Sequence, residues 1–153
     1  MTVDLSDLAR REVTGRREFT VQPRHATNVF GEQDDPPALP AAADATPEEA
    51  VRVLGSPSLL AFCEFVGRES LHGLLPDGTG TVGERADLRH RRAAPVGTTV
   101  AVETDLVGVE GRRLELAATA SRAGDGAVVG TADLVFRVVE RARFRAALEG
   151  LEG

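Results

Sequence analysis

Hydrophobic and polar residues recur with two different periods along this chain, and the change falls near residue 80. Before it, the apolar positions keep a helical repeat. In "SPSLLAFCEFVGRESLHGLL" (56–75), Leu59, Leu60, Phe62, Cys63, Phe65, Val66, Leu71 and Leu74 cover most of a helix circumference. A helix apolar nearly all round is normally buried. Ser56 can act as its N-cap and Pro57 suits its first turn. "PDGTG" (76–80) ends it with turn residues. The spacing predicts a helix over 57–74. Upstream, "TPEEAVRVL" (46–54) carries a capping box of Thr46, Pro47 and Glu49 and predicts a short helix broken at Gly55.

Beyond residue 80 the period is two, the signature of half-buried strands. Val82, Ala86, Leu88 and His90 share one face. So do Val100, Val102, Thr104 and Leu106, then Leu114, Leu116, Ala118 and Ala120, then Val128, Gly130, Ala132, Leu134, Phe136 and Val138. These predict strands near 80–92, 98–109, 112–122 and 126–139, with a further one at "REFTVQP" (17–23). "GVEG" and "AGDG" read as hairpin turns, so the strands run antiparallel. "GEQDDPPALPAAADA" (31–45) is a loop too long for a simple turn and is a candidate lid. "ERARFRAALEG" predicts a short surface helix at the end. The expected fold is α+β: a single domain over 1–153, one long buried helix wrapped by a curved antiparallel sheet of about five strands. That is the hotdog arrangement.

Composition narrows the chemistry. The net charge of −6 argues against nucleic acid as the partner. All eighteen basic residues are arginine, which removes Schiff-base chemistry and a P-loop lysine together. Tyr and Trp are absent, and the single Cys63 leaves no internal disulfide or cysteine-based zinc site. With three histidines no metal or other cofactor is expected. No apolar run approaches the ~20 residues that span a bilayer, and "MTVDLSDLARREV" lacks the apolar core of a signal peptide. A cytoplasmic protein without a membrane partner is the expectation.

Three residues stand out against the pattern. Glu64 lies between Cys63 and Phe65 with no basic residue within three positions. It either reaches water at the helix edge or is buried, which raises a carboxyl pKa and marks a functional group. Ser56 is a natural cap, and it also sits beside the free N–H groups of a helix start, which suit an oxyanion or a thioester carbonyl. Two helical turns, about 12 Å of axis, separate Ser56 from Glu64. His90 points inward by parity with Ala86 and Leu88, as a core histidine or a proton carrier. Arg89 and Arg91 flank it and point outward, forming either a solvated surface or a cationic mouth for phosphate.

Together, "VLGSPSLLAFCEFVG" and "LPDGTGTVGERADLRHRRAAPVGTTVAVETDLVGVEGRRLEL" resemble the fluoroacetyl-CoA thioesterase-like family of hotdog proteins. The resemblance is clearest over 50–140, and its motifs are specific through their joint order and spacing. It implies hydrolysis of an acyl-CoA or pantetheine thioester, with Ser56, Glu64 and His90 as acting residues and Gly83 near the thioester. It implies a homodimer or higher homo-oligomer, its site between subunits. Ser56 stands where the family usually has threonine, and Leu134 where many relatives have arginine. The aromatic lid of the fluoroacetate-specific enzyme has no counterpart, since Phe30 is the only aromatic between 24 and 55. A non-catalytic hotdog that binds acyl-CoA or another apolar ligand, and an enoyl-CoA hydratase, are the alternatives.

Overall fold

Five of the strands close into one antiparallel sheet of order β1-β7-β8-β9-β6 in the computed structural model, which describes residues 3–34, 37–38 and 41–151. They are β1 (Thr14–Thr20), β6 (Thr79–His90), β7 (Thr99–Glu110), β8 (Arg113–Arg122) and β9 (Val128–Glu140). Between β1 and β6 come the short pairs β2 (Ala26–Asn28) with β5 (Arg52–Leu54), and β3 (Gln33–Asp34) with β4 (Pro37–Ala38). The latter pair falls in the predicted 31–45 loop, of which residues 35, 36, 39 and 40 lie outside the described residues.

The period-two reading identifies the core. Val100, Val102, Thr104, Leu114, Leu116, Ala118, Ala120, Ala132, Leu134, Phe136 and Val138 are all buried on the inner face. Helix α1 (Ser56–Ser70) crosses that face and buries Leu59, Phe62, Cys63, Val66 and Gly67 against it. Two glycines permit the close approach. A Cβ on Gly67 would stand 3.2 Å from the Phe136 ring, and one on Gly130 only 2.6 Å from the Arg89 carbonyl oxygen and 3.0 Å from Leu59 Cδ2. At its end, helix α2 (Arg141–Glu149) lies exposed on the surface, as predicted. No helix among the described residues is long and apolar enough to cross a membrane.

Four expectations need correction. The segment 46–54 is not a helix. Its capping box forms, with the Glu49 carboxylate accepting the Thr46 N–H at 3.2 Å, but supports only a 3₁₀ turn at Pro47–Glu49. The β-branched Val53 then belongs to strand β5, where the Leu54 N–H bonds the Ala94 carbonyl at 2.8 Å. Helix α1 ends at Ser70 rather than residue 74, because the Ser70 hydroxyl turns back onto the Gly67 carbonyl (2.6 Å) and Gly73 takes φ +79°. It is not buried all round either: Phe65 is 57% exposed. Last, Val82 does not share a face with Ala86, Leu88 and His90. The register of β6 on β9 shifts between Gly83 and Arg85, so Glu84 is an inserted residue. Val82 pairs with Arg137 and Gly83 with the inward Phe136.

Candidate functional site

Ser56 is not the N-cap of α1. Gly55 takes that position with extended backbone (φ −78°, ψ 149°), and Ser56 is the first helical residue. Its hydroxyl is therefore free of capping duty and lies 2.9 Å from His90 Nδ1. His90 closes β6 on the inner face, directly across from Gly130, whose missing side chain leaves room for Leu59 of the helix. The inward parity read for His90 thus holds, and its partner is Ser56. The hydroxyl donates to Nδ1 when the ring proton is on Nε2.

Glu64 is half-buried on the flank of α1 that faces β6. The bulge at Glu84 brings Gly83 round to this side. A Cβ on Gly83 would stand 3.2 Å from Glu64 Oε1, so nothing but glycine backbone separates the carboxylate from the strand. Bulges of this kind re-aim residues beside functional sites. Here the inserted Glu84 is held by Arg113 of β8, which donates to its carboxylate at 2.9 and 3.2 Å. Glu64 makes no ion pair among the described residues.

The four residues thus meet as two pairs, Ser56 with His90 and Glu64 with Gly83, separated by two turns of α1, about 12 Å. The predicted arginines stay apart from them. Arg89 pairs with Thr131 on the outer face of the sheet, and Arg91 lies past the strand end with its N–H on the Val129 carbonyl at 2.7 Å. Cys63, adjacent to Glu64, is fully buried; burial first, and the Glu64 charge second, push its thiol up to about 11. That leaves it inert as a nucleophile.

Sequence reasoning passed over two residues. Arg68, one helical turn beyond Glu64, holds its guanidinium carbon 5.7 Å from the centre of the Phe136 ring. The i, i+4 spacing from Glu64 was the available signal. His25 sits on the opposite flank of α1. Its ring meets Phe62 edge-on at 4.8 Å, Phe62 stacks on Phe19 at 4.1 Å, and His25 Nδ1 accepts the Gln22 N–H at 3.1 Å. Burial, then the nearby Arg24, hold His25 below its ordinary pKa. Among the described residues no group of three His, Cys, Asp or Glu side chains is arranged to hold a metal ion.

One helix laid across a five-stranded antiparallel sheet, with polar residues collected on its β6 flank, is the hotdog fold of the thioesterase superfamily. A thioesterase-superfamily member from Thermus thermophilus superimposes with a TM-score of 0.75 at 19% identity, covering 94% of this chain and 93% of its own. A hot-dog-like protein from Thermanaerovibrio acidaminovorans gives 0.76 at 19%, covering 98% of each. The chain belongs to the family of FlK, the fluoroacetyl-CoA-specific thioesterase, whose family model matches residues 40–142. A point mutant of FlK itself superimposes with a TM-score of 0.73 at 25% identity, covering 92% of this chain and 96% of that one. No curated protein matches the sequence significantly. The class is that of a thioester hydrolase.

Proposed function

We propose that this protein hydrolyses small or medium acyl-CoA thioesters with Glu64 as the acting carboxylate. The observation that carries the reading is the half-buried Glu64 carboxylate lying over the bare backbone of Gly83. A carboxylate so placed takes a proton from water, or attacks the thioester carbonyl itself to give an anhydride that water then opens. On either route the carbonyl oxygen gains charge, and the Gly83 N–H, beside a bulge on an edge strand, is the donor for it. The C–S bond then breaks, and the thiolate leaves with a proton delivered through His90. Ser56 holds the imidazole in the tautomer that can carry it. Relatives support the substrate class: one solved FlK mutant holds acetyl-CoA and another holds fluoroacetate with CoA. Arg89 and Arg91, at the end of β6, are the residues for CoA phosphate.

The 12 Å between the two pairs supports a homodimer. β6 is an edge strand of twelve residues with an unpaired side. Antiparallel pairing of two copies through β6 runs the strands in opposite directions. The Ser56–His90 pair of one copy then lies towards the Glu64–Gly83 pair of the other, and one thioester reaches both.

The test is thiol release from a panel of acyl-CoAs by the purified protein and two variants. Glu64→Gln and His90→Ala are each expected to lower kcat by at least about 100-fold with unchanged circular dichroism. The double variant should lose far less than the product, because groups acting as a unit are not additive. If Glu64→Gln turns over like the parent, Glu64 is structural and the reading is wrong. CoA binding without any turnover would make the protein a binding module.

A further inference from the structure

Resting on the hydrolytic reading for its substrate, we infer that Arg68 and Arg141 form an anion subsite beside the Glu64–Gly83 pair that takes the far carboxylate of a short dicarboxylic acyl group. Between the end of α1 and the start of β6 lies a cavity of about 440 Å³ lined by Arg68, His72, Asp77, Thr79, Thr81 and Arg141. Glu64 and Gly83 do not line it themselves, but each of its walls continues into one of them. On the helix wall, Arg68 follows Glu64 by one turn, about 6 Å. On the strand wall, Thr81 is two residues from Gly83 and faces inward, opposite the buried Val138.

Two arginines and one aspartate line this cavity, and neither arginine is in an ion pair among the described residues. Five arginines elsewhere, Arg16, Arg17, Arg112, Arg113 and Arg122, bind carboxylates, while others share with Arg68 and Arg141 the lack of an ion pair among the described residues. Arg68 instead holds its guanidinium carbon 5.7 Å from the centre of the Phe136 ring, which is fully buried and stands directly opposite Gly83. A cation–π contact favours this position for the guanidinium and uses none of its N–H groups, which are left for an anion. The exposed Arg68 charge therefore stands one helical turn from Glu64 with no ion-pair partner among the described residues.

Distance selects the anion. At roughly 1.5 Å per C–C bond, a three- to five-carbon diacid places its second carboxylate within about 6 Å of the thioester carbonyl. That matches one helical turn from Glu64 to Arg68. The pyrophosphate of CoA lies on the order of a dozen such bonds away along the pantetheine arm, too far to sit at Arg68 with the arm extended. The geometry fits malonyl, succinyl or glutaryl thioesters and gives no such anchor to a methyl-ended chain.

The experiment pairs each diacid with a neutral partner of the same length, for example succinyl-CoA with pentanoyl-CoA. The expected kcat/KM ratio favours the diacid by about 10–100-fold, the worth of a charge-assisted hydrogen bond. Arg68→Met should lower kcat/KM for the diacid about 10–100-fold more than for its neutral partner and so abolish that preference, and Arg68→Lys should keep part of it. A parent enzyme that prefers neutral chains overturns the inference. So does Arg68→Met raising KM equally for every CoA ester, which would assign Arg68 to phosphate. Binding separates this inference from hydrolysis. By calorimetry, the non-hydrolysable thioether S-(3-carboxypropyl)-CoA should bind the parent at least about tenfold tighter than S-pentyl-CoA, and Arg68→Met should erase the difference. Equal affinities for the parent would sink the subsite, whether or not any thioester is turned over.

Discussion

Gly83→Ala isolates the contact on which the proposed site depends. The added Cβ would stand 3.2 Å from Glu64 Oε1 and 3.9 Å from its Cδ. Gly83 is not among the glycines with positive φ, so the backbone accepts alanine without strain. The atom in the way is the far end of a flexible side chain, which retreats by a few tenths of an ångström. Stability should therefore stay within about 0.5 kcal/mol of the parent. Activity should not. Displacing a catalytic group by 1 Å costs on the order of 100-fold, so a shift of a few tenths predicts a loss of about 3–6-fold in kcat. Gly130→Ala is the control. Its Cβ would meet the Arg89 carbonyl at 2.6 Å and Leu59 Cδ2 at 3.0 Å, contacts with backbone and packed core that cannot step aside. Overpacking of this sort costs about 1–3 kcal/mol, or roughly 2–12 °C in Tm for a chain of this size. The assay is a thermal melt beside thioester turnover for both variants. Gly83→Ala with full turnover would refute the idea that the Glu64 carboxylate must lie against this backbone. A Tm loss equal to that of Gly130→Ala would show the glycine to be a packing requirement instead.

Three other outcomes follow from the same coordinates. Ser56→Ala removes the 2.9 Å contact with His90 and should lower kcat about 10-fold, roughly the worth of one hydrogen bond, while Ser56→Thr keeps the hydroxyl and should retain activity; a loss equal to that of Glu64→Gln would make Ser56 the nucleophile. His25 is held below its ordinary pKa of 6.5 by burial, so the folded state resists its protonation. The stability it contributes is complete above pH 6.5 and is lost as the pH falls through the lower folded value; the Tm should drop over that window, and the drop should flatten in His25→Asn. Thr104 Oγ1 is buried without a hydrogen-bond partner, so Thr104→Val, of the same shape, should raise stability by about 1 kcal/mol in a denaturant titration, and a decrease would mean the hydroxyl has a partner after all.

The parts of this molecule legible in the sequence are those where one local rule acts alone. Strand β8 up to Ala120 and β7 up to Leu106 alternate because one face meets α1, so parity alone identified Val100, Val102, Leu114 and Leu116 as core. The inward face of His90 followed from the same parity. The segment 46–54 was misread because a capping box is a start signal only. Whether a helix continues depends on what comes next, and Val53–Leu54 gains more from pairing with β2 and bonding Ala94 than from another turn. Ser56 was misread for a related reason: Gly55 caps by backbone alone, leaving no side-chain signature, and the hydroxyl became available to a strand 34 residues away.

The bulge at Glu84 was the least visible feature and the one with the largest consequence. An inserted residue reverses parity on one side of itself, and no hydrophobic pattern in "TVGERADL" marks where, since Gly83 offers no side chain to bury and Val82 is apolar on either face. The contact that accompanies the insertion is tertiary. Arg113, from a strand two places away in the sheet, grips the Glu84 carboxylate on the outer face with three contacts and so holds Gly83 on the inner one. The bare backbone facing the Glu64 carboxylate thus lies next to a residue held by an ion pair on the far side of the sheet, with no residue in common. Any relative that keeps the glycine but loses the Glu84–Arg113 grip should be free to slip its register by one, returning Val82 to the inner face beneath Glu64 and closing the space where a thioester would lie.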